Sequence, residues 1–179
     1  TMLSIMLPRA IVAADRIDEV INTKSSITDA ESPKSISNPK GLLVFDHVNF
    51  KYPGANENAL EDINFVAEPG KTTAIIGSTG CGKSTLVNLI PRLYDATEGS
   101  ITLDGESIKN ISMKELRDEL GYVPQKGILF SGTIESNIKF GAPEASMDIV
   151  KEAAEIAQAT EFIETKSAKY ESPIAQGGT

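Results

Sequence analysis

Apolar residues at helical spacing open the chain: Ile5, Ile11, Val12, Ile17, Val20 and Ile21 share a side over residues 1–22, with Arg9, Asp15, Arg16, Asp18 and Glu19 among them. The spacing predicts a helix that Pro8 ends or kinks near its start. From 23 to 41 the pattern dissolves into Ser, Thr, Asn, Pro and Lys. That is linker composition, and it divides residues 1–40 from 41–179, with the boundary near 38–41. β-rich runs follow at 43–52 and 59–67, with Pro53-Gly54 as a turn between them. Glu68-Pro69-Gly70-Lys71 is a tight turn into the apolar run Thr73-Ala74-Ile75-Ile76, which reads as a short buried strand. Leu86-Val87-Asn88-Leu89-Ile90 returns to helical spacing. Ser100-Ile101-Thr102-Leu103 alternates as a strand, with Asp104-Gly105 as its turn. Residues 113–119 predict a short charged helix, and 120–123 a strand ending at Pro124-Gln125. Residues 147–162 predict an amphipathic helix whose apolar side holds Ile149, Val150, Ala153, Ala154, Ile156 and Ala157.

Between the strand at 73–76 and the helix from 86 lies Gly77-Ser78-Thr79-Gly80-Cys81-Gly82-Lys83-Ser84-Thr85, with the composition and spacing of a phosphate-binding P-loop. Strand, glycine loop and helix is the context that gives G-x-x-x-x-G-K-[ST] its meaning. The glycines let the backbone curl around an anion with no Cβ in the way. The loop amides converge on the phosphates, and the helix presents its positive end to them. Lys83 is expected to reach the β/γ-phosphates, Ser84 to complete a Mg²⁺ shell, and Thr85 to add a hydroxyl on the α-phosphate side.

Composition narrows the rest. A chain of 179 residues holds one domain with a real core plus an appendage. A net charge of −8 argues against a general nucleic-acid or lipid-surface binder. Cys81 is the only cysteine, so no intrachain disulfide forms and a reducing compartment is expected. Inside the loop it is also a target for alkylation that blocks nucleotide. No secretory signal is visible, and the apolar residues 2–7 are too few to span a bilayer. His47 is the only histidine, so neither a His-based metal cluster nor Ser-His catalysis can be assembled, and it reads as a plain strand histidine. Leu42-Leu43-Val44-Phe45-Asp46 has the look of an apolar strand delivering a metal-binding Asp, but it precedes the P-loop and reads as a strand-to-turn segment. Asp118-Glu119-Leu120-Gly121 mimics a GTPase D-x-x-G, yet no guanine-reading N-K-x-D follows it.

Five stretches occur in one order: Val48-Asn49-Phe50-Lys51-Tyr52-Pro53, the P-loop, Gly99-Ser100-Ile101-Thr102-Leu103-Asp104-Gly105, Gly121-Tyr122-Val123-Pro124-Gln125 and Leu129-Phe130-Ser131-Gly132-Thr133-Ile134. Asn137-Ile138 and Phe140-Gly141 continue the run. In these the chain resembles the ATP-binding cassette (ABC) family, specifically the nucleotide-binding region of exporters whose membrane and ATPase domains share one polypeptide. The resemblance implies an α/β fold: a P-loop NTPase-like core with an antiparallel β subdomain, incomplete here, preceded by a short helix and linker. It implies ATP and Mg²⁺ as ligands. Tyr52 matches the aromatic residue that stacks on adenine. Gln125 matches the glutamine that approaches Mg²⁺ and the attacking water, with Lys83 sharing the catalytic role. Residues 126–141 would face the coupling helices of the membrane domain. Pro8-Arg9-Ala10 and Arg16-Ile17-Asp18-Glu19-Val20 look like the cytosolic end of the last transmembrane helix. The implied partners are a second nucleotide-binding domain, in a homo- or heterodimer, and the membrane domain, with no nucleic acid. The implied location is the cytoplasmic face of the cell membrane.

After Gln176-Gly177-Gly178-Thr179 the family pattern continues into an LSGGQ-type signature, an apolar strand ending in Asp-Glu and a switch histidine, none of which is among these 179 residues. Residues 172–178 also lack the acidic residues common before the signature. The expectation is that this chain alone binds nucleotide weakly and does not turn it over, and that its parallel core is short of neighbouring strands. Two alternatives stay open: a soluble ABC-type ATPase, and a degenerate module in which ATP glues a heterodimer without hydrolysis.

Overall fold

The computed structural model describes residues 2–178, with side chains from Met6 onward. Thr1 at the head of the predicted helix, the side chain of Ile5 on its apolar side and Thr179 lie outside the described residues. Contacts divide the chain into two units, Thr1–Gly121 and Tyr122–Thr179.

The first unit begins with α1 (Met2–Asn22), which continues through Pro8 instead of ending there. Proline removes one amide and clashes with the preceding turn, so it weakens a helix locally without forbidding the turns beyond. Among the described residues no helix is long and apolar enough to cross a membrane. The core sheet is antiparallel, in the order β2-β1-β3-β4, from β1 (Leu43–Phe50), β2 (Leu60–Ala67), β3 (Glu98–Leu103) and β4 (Glu106–Ser107). The β3–β4 turn is Asp104-Gly105, with φ of 52° and 85°, the paired left-handed residues that a two-residue hairpin demands. Phe45 stacks on Phe65 at 4.6 Å across the β1–β2 pair. Leu86 and Leu89 of α2 (Lys83–Leu89) and Leu116 of α3 (Met113–Asp118) are buried in the same cluster as the sheet residues Val48, Phe50 and Ile101.

The three longer strands share a defect at one level. Pairing on β1 slips between Phe45 and Val48 against β2, and between Asp46 and Asn49 against β3. His47 and Asp62 both adopt left-handed φ there, at 48° and 47°. Side chains take up the displaced amides: His47 N–H donates to Asn64 Oδ1 at 2.8 Å and Asp62 N–H to Asn49 Oδ1 at 2.7 Å. His47 Nδ1 and Asp62 Oδ1 lie 2.6 Å apart, and Asp62, through its hydrogen bond and charge, raises the imidazole above its ordinary pKa. Gly99 passes under this bulge with φ of 75°, where a Cβ would lie 2.1 Å from His47 O.

Residues 23–41 are not a free linker. Lys34 N–H donates to Asn110 O at 2.8 Å, and Glu115 Oε1 accepts from Ser35 Oγ at 2.6 Å and Ile36 N–H at 3.0 Å. Asp104 accepts the amides of Lys40, Gly41 and Leu42 at 2.8, 3.1 and 2.9 Å. Arg92, 3% exposed, donates to Asp95 and to Thr28 O. The polar composition that reads as linker is here a set of donors for acidic side chains far along the chain.

Two predicted strands do not form. Residues 73–76 and 120–123 join no ladder, and Ile76 and Val123 are 92% and 93% exposed. Short apolar runs of this kind suit parallel strands covered on both faces and flanked by neighbours. No described residues pair with them.

The second unit pairs β5 (Gly132–Thr133) with β6 (Pro173–Ile174). Its core is Ile134 of α4 (Ile134–Ile138), Val150 and Ala154 of α5 (Met147–Ile156), Ile163 of α6 (Thr160–Glu164), and Tyr170. The helix predicted over 147–162 breaks in two, because Gln158 turns left-handed at φ 55° and Ala159 N–H reaches back to Ala154 O. Val150 and Ala154 are buried as expected, whereas Ile149 and Ile156 face outward.

Gly99→Ala is expected to cost roughly 2–3 kcal/mol, because the new methyl meets backbone at a left-handed residue; a urea melt unchanged from wild type contradicts the bulge geometry. Burial pushes the Asp104 carboxyl up, but the amides of Gly41, Leu42 and Lys40 outweigh it and hold it below the ordinary carboxylate value. A carboxyl depressed by folding contributes stability present above its unfolded pKa and lost as pH falls through its folded one. Asp104→Asn is therefore expected to cost about 1–2 kcal/mol at neutral pH and to flatten the acid limb of a stability-against-pH curve. An acid limb as steep as wild type contradicts this.

Candidate functional site

The glycine loop runs from Gly77 to α2 in a curl that side chains would obstruct. Gly80 and Gly82 adopt φ of 85° and 91°. A Cβ on Gly77 would lie 2.5 Å from Cys81 Sγ. One on Gly82 would lie 2.7 Å from Leu60 Cδ2 and 2.9 Å from Ala59 O. Gly82 leads α2 with no side-chain cap, and the first helical bond is Leu86 N–H to Gly82 O at 2.9 Å. The amides of Lys83, Ser84 and Thr85 precede that bond and have no intrahelical partner. Lys83 Nζ lies across the loop, donating to Gly77 O at 2.9 Å and Ser78 O at 2.7 Å, 3.5 Å from Cys81 Sγ. Ser84 is exposed beside it.

Backbone amides, one ammonium and exposed hydroxyls around a curl with two left-handed glycines make a donor set suited to a polyanion. The hard oxygen of Ser84 is also suited to Mg²⁺. A nucleoside triphosphate with its magnesium fits these residues.

Tyr52 follows β1 and is half-buried beside α2. Its hydroxyl lies 2.9 Å from Thr85 Oγ1, and Thr85 is buried. Its ring meets Phe50 and Tyr94 edge to face, with centroids 4.8 and 5.3 Å apart. The first unit thus holds Tyr52 against Thr85, at the end of the loop formed by Gly77, Ser78, Thr79, Gly80, Cys81, Gly82, Lys83 and Ser84. Gln125 belongs to the second unit, in the exposed irregular segment 121–130. Sequence reasoning missed Tyr94, the packing of Ala59 and Leu60 on Gly82, and the hydroxyl pair. None follows a local spacing.

In the second unit, Asn137 ties the segment before β5, accepting Phe130 N–H at 2.8 Å and donating to Phe130 O at 2.9 Å. Phe130 and Phe140 stack at 4.4 Å, both exposed. Beside them Thr133, Glu135, Ser136, Lys139, Phe140 and Pro143 line an open groove of about 520 Å³. Lys139 pairs with Glu135 at 2.5 Å and holds its carboxyl below the usual range, while Glu135 raises Glu171 by hydrogen bond and charge.

The family model described as ABC transporter matches residues 60–177. YfiB, an uncharacterized ABC transporter ATP-binding protein of Bacillus subtilis (strain 168), is 41% identical over 177 residues, covering 98% of this chain and 30% of its own length. A fatty acid ABC transporter ATP-binding/permease protein of Mycobacterium tuberculosis (strain CDC 1551 / Oshkosh) is 39% identical, over 96% of this chain and 27% of its own. Among solved structures, a bacterial Atm1-family ABC exporter with ATP bound superposes with a TM-score of 0.88 at 31% identity, over 99% of this chain and 31% of that one. The chain spans about 30% of the length of the curated relatives it matches. A model match across well over half of the residues, on a fold shared with an exporter's ATP-bound chain, means that this chain belongs to the ABC transporter family.

Proposed function

We propose that this chain is the ATP-binding part of an exporter whose membrane and ATPase domains share one polypeptide, and that it couples ATP binding and hydrolysis to export. The observation that carries the reading is the loop geometry: left-handed Gly80 and Gly82, with the Lys83 ammonium spanning the curl. Relatives named as ATP-binding/permease proteins, for multidrug export and for fatty acid, support a fused membrane domain.

In this reading the loop amides and Lys83 hold the β- and γ-phosphates and offset the charge that develops between them. Ser84 would hold Mg²⁺, whose charge would offset that of the phosphates, and the family motif would assign Gln125 to the same ion. Thr85 takes the α-phosphate side and Tyr52 presents its ring to adenine. Residues 126–141 meet the coupling helices; the exposed Phe130–Phe140 stack and its groove suit an apolar helix end. α1 is the cytosolic end of the last transmembrane helix, and the site lies at the cytoplasmic face, opposite a second nucleotide-binding domain. These 179 residues hold no Asp-Glu strand end, signature or switch histidine after the P-loop, so the chain alone binds without steady turnover.

Saturable MgATP binding by calorimetry is expected, weakened about 10- to 100-fold by Lys83→Ala through loss of charge-assisted hydrogen bonds. Equal affinity in wild type and variant overturns the site. Steady phosphate release by this chain, abolished by Lys83→Ala, overturns the statement that it lacks turnover. Cys81 Sγ lies exposed within the curl, so maleimide labelling is expected to block nucleotide binding and MgATP to slow labelling. Labelling that leaves affinity intact places the nucleotide elsewhere.

A further inference from the structure

The aromatic residue assigned to the base and the hydroxyl assigned to the phosphates touch one another. Tyr52 Oη and Thr85 Oγ1 lie 2.9 Å apart, and Thr85 is buried. Two further contacts fix this distance. Gly82, three residues before Thr85, is pressed against Ala59 O and Leu60, and Ala59 N–H donates to Phe50 O at 2.8 Å, two residues before Tyr52. The edge-to-face contacts with Phe50 and Tyr94 hold the Tyr52 ring.

Each hydroxyl has one hydrogen to give and lone pairs to accept. A polyphosphate oxygen only accepts. If Thr85 gives its hydrogen to the anion, its oxygen is left to accept, and Tyr52 is the donor within reach. The phenol is also the better donor of the two. Donors in series polarise one another, so a hydroxyl that accepts is a stronger donor in turn.

We infer that the Tyr52 hydroxyl is a positioning group for the phosphates: it donates to Thr85 Oγ1 and directs the Thr85 hydrogen at the bound polyphosphate. Tyr52 then acts twice, its ring toward the base and its hydroxyl toward the phosphates. The two halves of the nucleotide are read by one connected element. This rests on the proposed ATP site, and it separates from that reading by experiment.

The test is calorimetric titration of the whole chain with Mg-tripolyphosphate, which has no base, and with MgATP. Tyr52→Phe keeps the ring and removes only the hydroxyl; Thr85→Val keeps the shape. The relay predicts that Tyr52→Phe weakens tripolyphosphate and ATP alike, by about 3- to 10-fold. Thr85→Val should weaken both at least as much, and the double variant no more than Thr85→Val alone. Thermal melts accompany each titration, and a loss of affinity in a variant that melts as wild type assigns it to the hydroxyl. Tripolyphosphate affinity unchanged in Tyr52→Phe, or losses that add in the double variant, overturn the relay while leaving the ATP site standing. Wild type that binds neither ligand, or binds both independently of Lys83, removes the ATP site and the relay with it.

Discussion

Backbone meets backbone where Gly82 lies against Ala59. A methyl group in that place would sit 2.9 Å from a carbonyl oxygen and 2.7 Å from the Leu60 side chain. This close approach joins the β1–β2 connection to the start of α2, and much of the first unit depends on it. It sets where the glycine loop ends and holds the segment carrying Tyr52 beside Thr85. It also fixes the direction in which α2 enters the core to bury Leu86 and Leu89. The left-handed glycine that opens α2 is thus also the one that lets the β1–β2 connection and the helix touch.

Around that joint the unit is stitched by side chains acting on backbone. Asn49 and Asn64 satisfy the amides that the bulges displace. Asp104, Glu115 and Arg92 hold residues 28–42 against the sheet and helices. These polar side chains take up amides and carbonyls where no regular ladder runs. The result is a hydrogen-bonded platform behind a segment, 71–80, whose own residues are exposed.

Features that depend on neighbours in sequence were legible in it. The Asp104-Gly105 hairpin and the helix that ends at Asn22 follow from local spacing and backbone preference, and the described residues carry both. Features that depend on distant partners were not. Ser35 and Glu115 are 80 positions apart, and no periodicity announces that one serves the other. The run 73–76 has strand composition, but a strand is a pairing, and composition does not supply the partner. Gln158 turns the chain left-handed inside an apolar pattern that reads as continuous helix. In the candidate site, the glycines, Lys83 and Ser84 were singled out because a phosphate-binding loop prescribes their spacing. The contact between Tyr52 and Thr85 was not, because it spans 33 residues and is made by the fold.

The central claim, that Tyr52 and residues 77–85 form one polyphosphate site, is tested most directly by mapping amide NMR shifts of the isotopically labelled chain during titration with MgATP. The largest changes are expected at Tyr52, Gly80, Gly82, Lys83, Ser84 and Thr85, and they should vanish in Lys83→Ala. Changes centred away from these residues, or equal in the variant, contradict it.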